Sequence, residues 1–181
     1  IFIIIVFLGW YRGVADTMKQ SMIDFETGNI QIYNVDYMEQ KRKIPLKYNI
    51  DIDSRNDITG FIPANQLLGI SERIDFNSSI SFEGKTLRLM GRAIVPEEES
   101  KITPIDKYLV EGKSLKEKKG ILIGKKNAEK LGVKVGDKLY IKAVDRYSVT
   151  NMDFVEIVGL FNFGFPQTDN NMFFIDMDTA G

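Results

Sequence analysis

The sequence predicts an α+β fold, with helix near its start and short antiparallel strands filling its second half. Three observations carry this prediction. Apolar residues recur at helical spacing across Val14, Met18, Met22 and Phe25, with Asp16, Lys19, Gln20 and Asp24 between them. Apolar and polar residues then alternate on both sides of Glu83-Gly84-Lys85, the pattern of a hairpin. After the acidic break Pro96–Ser100 (PEEES), short strand-like runs follow one another between glycine- and aspartate-bearing turns.

The N-terminal run Ile1–Leu8 (IFIIIVFL) carries no polar side-chain atom. It is shorter than the roughly 20 apolar residues that span a bilayer as a helix. Two readings stand: a buried core strand or helix start, or the end of a transmembrane helix that begins upstream. Gly9, Trp10, Tyr11 and Arg12 favour the second, because amphipathic aromatics and a snorkelling cation collect at membrane interfaces. A signal peptide would place basic residues before the run and a small-residue cleavage site after it, and the sequence does neither. The expected division is therefore 1–12 as the end of a first transmembrane helix, 13–96 as an α+β subdomain opened by a long helix, and 97–181 as a smaller β-rich subdomain returning toward a second membrane helix.

The remaining elements follow from local patterns. The helix from Arg12 is closed at Gly28, a C-terminal cap position. Ile30, Ile32 and Val35 alternate with polar residues and predict a strand. Residues 36–55, polar and broken by Pro45, predict a loop. Ile58–Ile70 predicts a short helix with Pro63 in its first turn and Gly69 at its end. These elements and the hairpin over Ile74–Met90 would form a strand-helix-strand-strand unit. Beyond residue 100, Ile121–Gly124 is a buried strand, Lys125–Leu131 a helix closed by Gly132, and Lys138–Val144 a strand entered through Val135-Gly136-Asp137. Strands over Asp153–Phe161 and Met172–Ile175 and a helix start at Asp176 complete the chain.

Composition excludes more than it identifies. The 181 residues, 44% hydrophobic and 27% charged, suit one globular unit or two small subdomains with a core that needs no covalent staple. With no cysteine and no histidine, thiolate nucleophiles, Ser-His catalysis and the usual zinc sites are impossible. A net charge of -1, from 24 basic and 25 acidic residues, lacks the excess of a nucleic-acid binder.

Each remaining constellation has a plain structural explanation. Gly120-Ile-Leu-Ile-Gly124-Lys-Lys lacks the Ser or Thr that ends a phosphate loop and reads as a strand running into a helix. The carboxylate pairs Asp51/Asp53 and Asp176/Asp178 are solvated loop acids, since no aromatic cleft accompanies them. PEEES is a solvated loop rather than an oxygen cage. The lysines of 113–119 are interleaved with glutamates and read as a solvated face more than a headgroup site. Phe163 and Phe165, flanking Gly164 ahead of Pro166, either plug a gap between subdomains or form an exposed patch for a partner or acyl chain. No catalytic, cofactor or metal site is called for.

Taken in order, these residues resemble lipoprotein-releasing (LolC/LolE-type) ABC transporter permeases. The matching segments are Met22…Thr27-Gly28-Asn29-Ile30-Gln31-Ile32, then Leu89-Met90-Gly91-Arg92-Ala93-Ile94-Val95-Pro96 with its glutamates, and Val110-Glu111-Gly112. Gly120–Gly124 with Ala128…Gly132-Val-Lys-Val-Gly136-Asp137 follows. The tail Val158-Gly159-Leu160-Phe161, with Gly164-Phe165 and Asp169, is similar to the periplasmic core domain shared with MacB-type permeases. The resemblance implies a non-enzymatic extracytoplasmic (periplasmic) domain in the cell (inner) membrane, with a porter-like β-α-β part and a β-rich part. It also implies a second permease subunit, a cytoplasmic ATPase subunit, and a lipoprotein or other periplasmic partner. A MacB- or FtsX-like coupling module and a soluble binding domain are the alternatives. In LolC-like members a proline-flanked hairpin recruits a lipoprotein carrier. Here Val144–Met152 is short and proline-free, which leaves carrier recruitment open. Trp10, Tyr11 and Arg12 are the expected membrane-interface residues, and Tyr147, Val149, Phe163 and Phe165 the candidate partner or substrate contacts.

Overall fold

Glu83 (φ 45°) and Gly84 (φ 81°) both occupy the left-handed region, as a two-residue hairpin turn of matching twist requires. They join β1 (Arg73–Phe82) to β2 (Lys85–Ile94) in an unbroken antiparallel register from Phe82↔Lys85 to Arg73↔Ile94. The computed structural model describes residues 2–22, 30–40, 46–63, 65 and 67–180. Its other strands are β3 (Leu109–Gly112), β4 (Ile121–Gly124), β5 (Lys138–Val144), β6 (Thr150–Phe161) and β7 (Met172–Asp176).

The strand order is β3-β6-β4-β7-β2-β1-β5, and β6 also pairs with β5. The first half of β6 runs antiparallel to β5, while its second half lies between β4 and β3. The pairings therefore return on themselves: β6, β4, β7, β2, β1 and β5 form a closed ring, with β3 laid beside β6. β2–β7 and β4–β6 are parallel, so the sheet is mixed, and the second half is not purely antiparallel as its sequence suggested. Strands on both sides of residue 96 share this one sheet, since β2 lies against β7.

Two apolar clusters fill the faces of the sheet. One gathers Ile80, Ile121, Ile123, Leu139, Ile157 and Phe173 with their neighbours, and α5 (Lys125–Leu131) adds Ala128 and Leu131 to it. The other joins Leu122, Phe161, Phe163 and Phe174 to Ile105 and Leu115 from the connection before β4. β4 and β7 are buried along their whole length, their alternate residues entering alternate clusters. Both strands accordingly read as continuous apolar runs instead of alternating ones. Gly91 makes room for this packing, since a Cβ there would overlap the rings of Phe76 and Phe173. α5 ends as expected at Gly132, which is left-handed at φ 82° and donates its N–H to the Ala128 carbonyl.

The first third of the chain departs most from expectation. α1 (Phe2–Met22) is helical throughout, which overturns the core-strand reading of Ile1–Leu8. Its described side chains between Ile3 and Thr17 are exposed, including Val14 of the expected stripe; the side chains of Met18, Met22 and Phe25 lie outside those described. The predicted cap at Gly28 lies outside the described residues. Residues 30–34 are not a strand: Ile30 and Ile32 are exposed, and alternation without a neighbouring strand supplies no hydrogen bonds to hold an extended chain. A helix, α2 (Val35–Gln40), follows instead of the loop, and Pro45 lies outside the described residues.

The helix expected over 58–70 forms earlier, as α3 (Ile52–Gly60). Asp51 caps it by accepting the Ser54 N–H at 2.9 Å, and Pro63 comes after its end. Pro96–Glu99 is a short helix, α4, rather than a solvated loop. α6 (Pro166–Asn171) and α7 (Met177–Ala180) flank β7.

Gly91→Ala should lower stability by about 1–3 kcal/mol through overpacking, and Phe173→Ala by about 3–5 kcal/mol through the cavity it leaves. Urea titration followed by near-ultraviolet circular dichroism measures both, and an unchanged midpoint for either variant would contradict the packing described.

Candidate functional site

The β5–β6 hairpin projects its turn, residues 145–149, as an ordered structure. Asp145 Oδ1 accepts the N–H groups of Tyr147 at 2.8 Å and Val149 at 2.9 Å, and Oδ2 accepts Asn151 Nδ2 at 3.1 Å. Donation from the Val149 N–H, then from Tyr147 and Asn151, holds the Asp145 carboxyl below its usual range although partial desolvation opposes them. Ser148 takes a left-handed conformation (φ 64°) to close the turn. The Arg146 guanidinium lies 4.8 Å from the Tyr147 ring centre. The turn thus presents Tyr147 (71% exposed) and Val149 (54%) on a fixed backbone.

The exposed apolar surface continues down one face of the hairpin. Register places Tyr140 opposite Phe154 and Lys142 opposite Met152, on the face away from Leu139, Ile141 and Val155. The Tyr140 and Phe154 rings are 5.0 Å apart, and the Tyr140 hydroxyl donates to Met152 Sδ at 2.6 Å. Nothing in the alternation of KLYIKAV marks this face as a contact surface; the exposure of Phe154 does.

Phe163 and Phe165 do not join that surface. Phe163 is buried, with ring centres 4.7 Å from Phe161 and 5.4 Å from Tyr108, and Phe165 is half-buried beside the same cluster. Phe163 is thus part of the core cluster rather than of an exposed surface. Asp169 fixes this corner by accepting the Phe163 N–H at 2.9 Å.

The residues expected at a membrane interface lie on α1. Ile3 through Leu8 are 52–81% exposed, and Trp10, Tyr11 and Arg12 follow, also exposed. The Phe7 and Trp10 rings are 5.9 Å apart along one side of the helix, a face completed by Ile3 and Val6. Among the described residues, no helix is long and apolar enough to cross a membrane.

The acidic and basic constellations have structural partners. Glu99, read from sequence as solvated, is 1% exposed. It accepts Arg73 Nη2 at 2.7 Å and Nε at 2.9 Å, together with Ser71 Oγ at 2.7 Å. Burial alone would raise the Glu99 carboxyl, but the hydrogen bond and charge of Arg73, with Ser71 and Thr103, hold it below the usual glutamate range. An arginine 26 positions away was the signal missed, because sequence spacing does not reveal a cross-element pair. The adjoining cavity, lined by Ile94, Glu99, Thr103 and Leu122 among others, is about 10 Å³.

Asp51 is a helix cap, and Asp176 is buried, accepting the Gly120 N–H at 2.8 Å and the Thr179 N–H at 2.9 Å. Asp178 pairs with Lys119, Asp106 with Lys116 and Glu156 with Lys118. At Gly124 a Cβ would overlap the Asp169 carbonyl, so that glycine serves packing between β4 and α6. Among the described residues, no group of three acidic side chains is placed to hold a metal ion.

Because the folded Glu99 carboxyl lies below its unfolded value, its stabilisation is complete above about pH 4.3 and is lost as pH falls through the folded value. Glu99→Gln should cost about 3 kcal/mol at neutral pH by stranding Arg73 in a buried site. It should also flatten the loss of stability as pH falls below about 4.3. Denaturation midpoints across that range check both expectations, and parallel curves for the two proteins would refute the assignment.

No family model and no curated protein matches the sequence. Among solved structures, the chain is similar to the extracellular domain of the noncanonic ABC-type transporter YknZ from Gram-positive bacteria. Identity is 16% and the TM-score 0.48, over 69% of this chain and 63% of that one. The chain therefore spans less than two thirds of that domain's length, and the likeness is too slight to assign a function.

Proposed function

We propose that this chain is the extracytoplasmic domain of an ABC transporter permease. In this reading it is non-catalytic and couples ATP hydrolysis on a separate cytoplasmic subunit to the release of lipoproteins from the membrane. The observation that carries the reading is α1. A helix whose apolar residues Ile3–Leu8 all face outward gains nothing from water, whereas lipid would cover that surface. Trp10, Tyr11 and Arg12 then fall where the headgroups would lie. The ordered resemblance of the sequence segments to LolC/LolE-type permeases supplies the transporter class.

Motion generated at the ATPase would reach the sheet through α1 and the segments following it, in the manner of coupling between distant sites by packed elements. The hairpin turn at Tyr147 and Val149 is the partner-facing end in this scheme. The proposed partners are a second permease subunit, the ATPase, and a lipoprotein or periplasmic protein. A MacB- or FtsX-like mechanotransmission role, for efflux or control of a cell-wall hydrolase, is the second reading. It is favoured by Phe163, which is packed into the core instead of lining a path for acyl chains.

Photo-crosslinking from position 147 in native membranes, with adducts identified by mass spectrometry, separates the readings. Acylated lipoproteins among the adducts are the expected result. Adducts confined to another permease subunit or a soluble periplasmic protein would remove lipoprotein release and leave mechanical coupling. In parallel, Phe7→Asp combined with Ile4→Asp should shift the protein from floating with liposomes to sedimenting with the soluble fraction. Undiminished flotation would overturn the role given to α1.

A further inference from the structure

The described residues before Phe76 contribute no buried side chain to either cluster, and Leu46 reaches the first cluster only partly buried. α3 is the extreme case: its described side chains are exposed or half-exposed, and Phe61 just beyond it is 86% exposed. Among the described residues, no side chain of α3 is buried, and Arg55 ties the helix to its neighbours by charge. Arg55, in the middle of α3, places Nε 2.6 Å from Glu72 Oε1 at the approach to β1 and Nη2 3.2 Å from Glu98 Oε1 on α4. The next residue of α4, Glu99, is the buried partner of Arg73 on β1. Consecutive glutamates thus play opposite parts: Glu99 fixes α4 to the sheet, and Glu98 offers a half-exposed carboxylate to a separate helix.

We propose that Arg55, Glu72 and Glu98 form an electrostatic clasp that seats α3 against α4 and the approach to β1 and opens while the ring of strands stays folded. The asymmetry follows from burial. Half-exposed ion pairs contribute little and are screened by salt, whereas the buried Glu99–Arg73 pair and the apolar clusters are not. Local opening of weakly buried elements at a small fraction of the global unfolding cost is the general behaviour of folded proteins. A competing charge, from ions or from an acidic partner surface, would release α3 by taking Arg55. Asp51 would keep capping the freed helix, because its bonds to Ser54 lie within the segment itself. The clasp stands independently of the membrane reading, since it involves no residue of α1.

The absence of cysteine makes the test direct. Spin labels on the full chain at Asp57→Cys in α3 and Thr86→Cys in β2 report the α3–sheet distance by pulsed dipolar spectroscopy. A control pair at Thr86→Cys and Lys130→Cys reports the ring alone. In low salt the α3–sheet distribution should be narrow. Arg55→Gln, or salt of about 1 M, where the screening length falls to about 3 Å, should move at least half the molecules to longer, broader distances with the control unchanged. Arg55→Lys should lie between. An α3–sheet distribution unaltered by Arg55→Gln, one already broad in the unaltered clasp at low salt, or a control pair that broadens with it would each overturn the proposal.

Discussion

Everything in this domain hangs on β6. Its residues 150–156 complete the pairing of β5, and its later residues are held between β4 and β3. A strand used on different edges along its length lets the sheet close on itself. Closure defines the face that receives Ile80, Ile123, Leu139 and Phe173, and it obliges β4 and β7 to be apolar on both sides. Ile157 at the middle of β6 is fully buried and lies where the change of partner occurs.

The parts of this design that were legible in the sequence are those set by neighbours in the chain. The Glu83-Gly84 turn fixes its hairpin because only a few residue types tolerate left-handed backbone, and Gly132 announces the end of α5 for the same reason. β4 and β7 could be recognised by their unbroken apolar runs. What escaped depends on residues far apart. The strand expected at Ile30–Val35 finds no partner edge, and β3 at Leu109–Gly112 is too short and too polar to stand out before β6 is placed beside it. α3 was displaced because Asp51, three residues before Ser54, is a stronger starting signal than Pro63, which was given the role of opening a helix.

The site was legible to a lesser degree. Tyr147 and Val149 are exposed on the hairpin turn, and Trp10 and Tyr11 are exposed on α1. The Phe-Gly-Phe pattern leaves open which ring turns inward; the inward turn of Phe163 is set by Tyr108 and Phe174, each distant in sequence. Glu99 was missed for a related reason. Three adjacent glutamates look alike on paper, and only the position of Arg73 on β1 separates the buried one from its neighbours.

Asp145 devotes its carboxylate to the turn that follows it, and this bears on how any partner would meet the hairpin. Flexible loops surrender conformational freedom at the moment of contact, which weakens the complex by the entropy lost. With Tyr147 N, Val149 N and the Asn151 amide already tethered, that loss has been taken during folding. Encounter with such a tip resembles the meeting of two rigid shapes, so differences among partners would be expressed chiefly in how long each stays bound rather than in how fast it arrives.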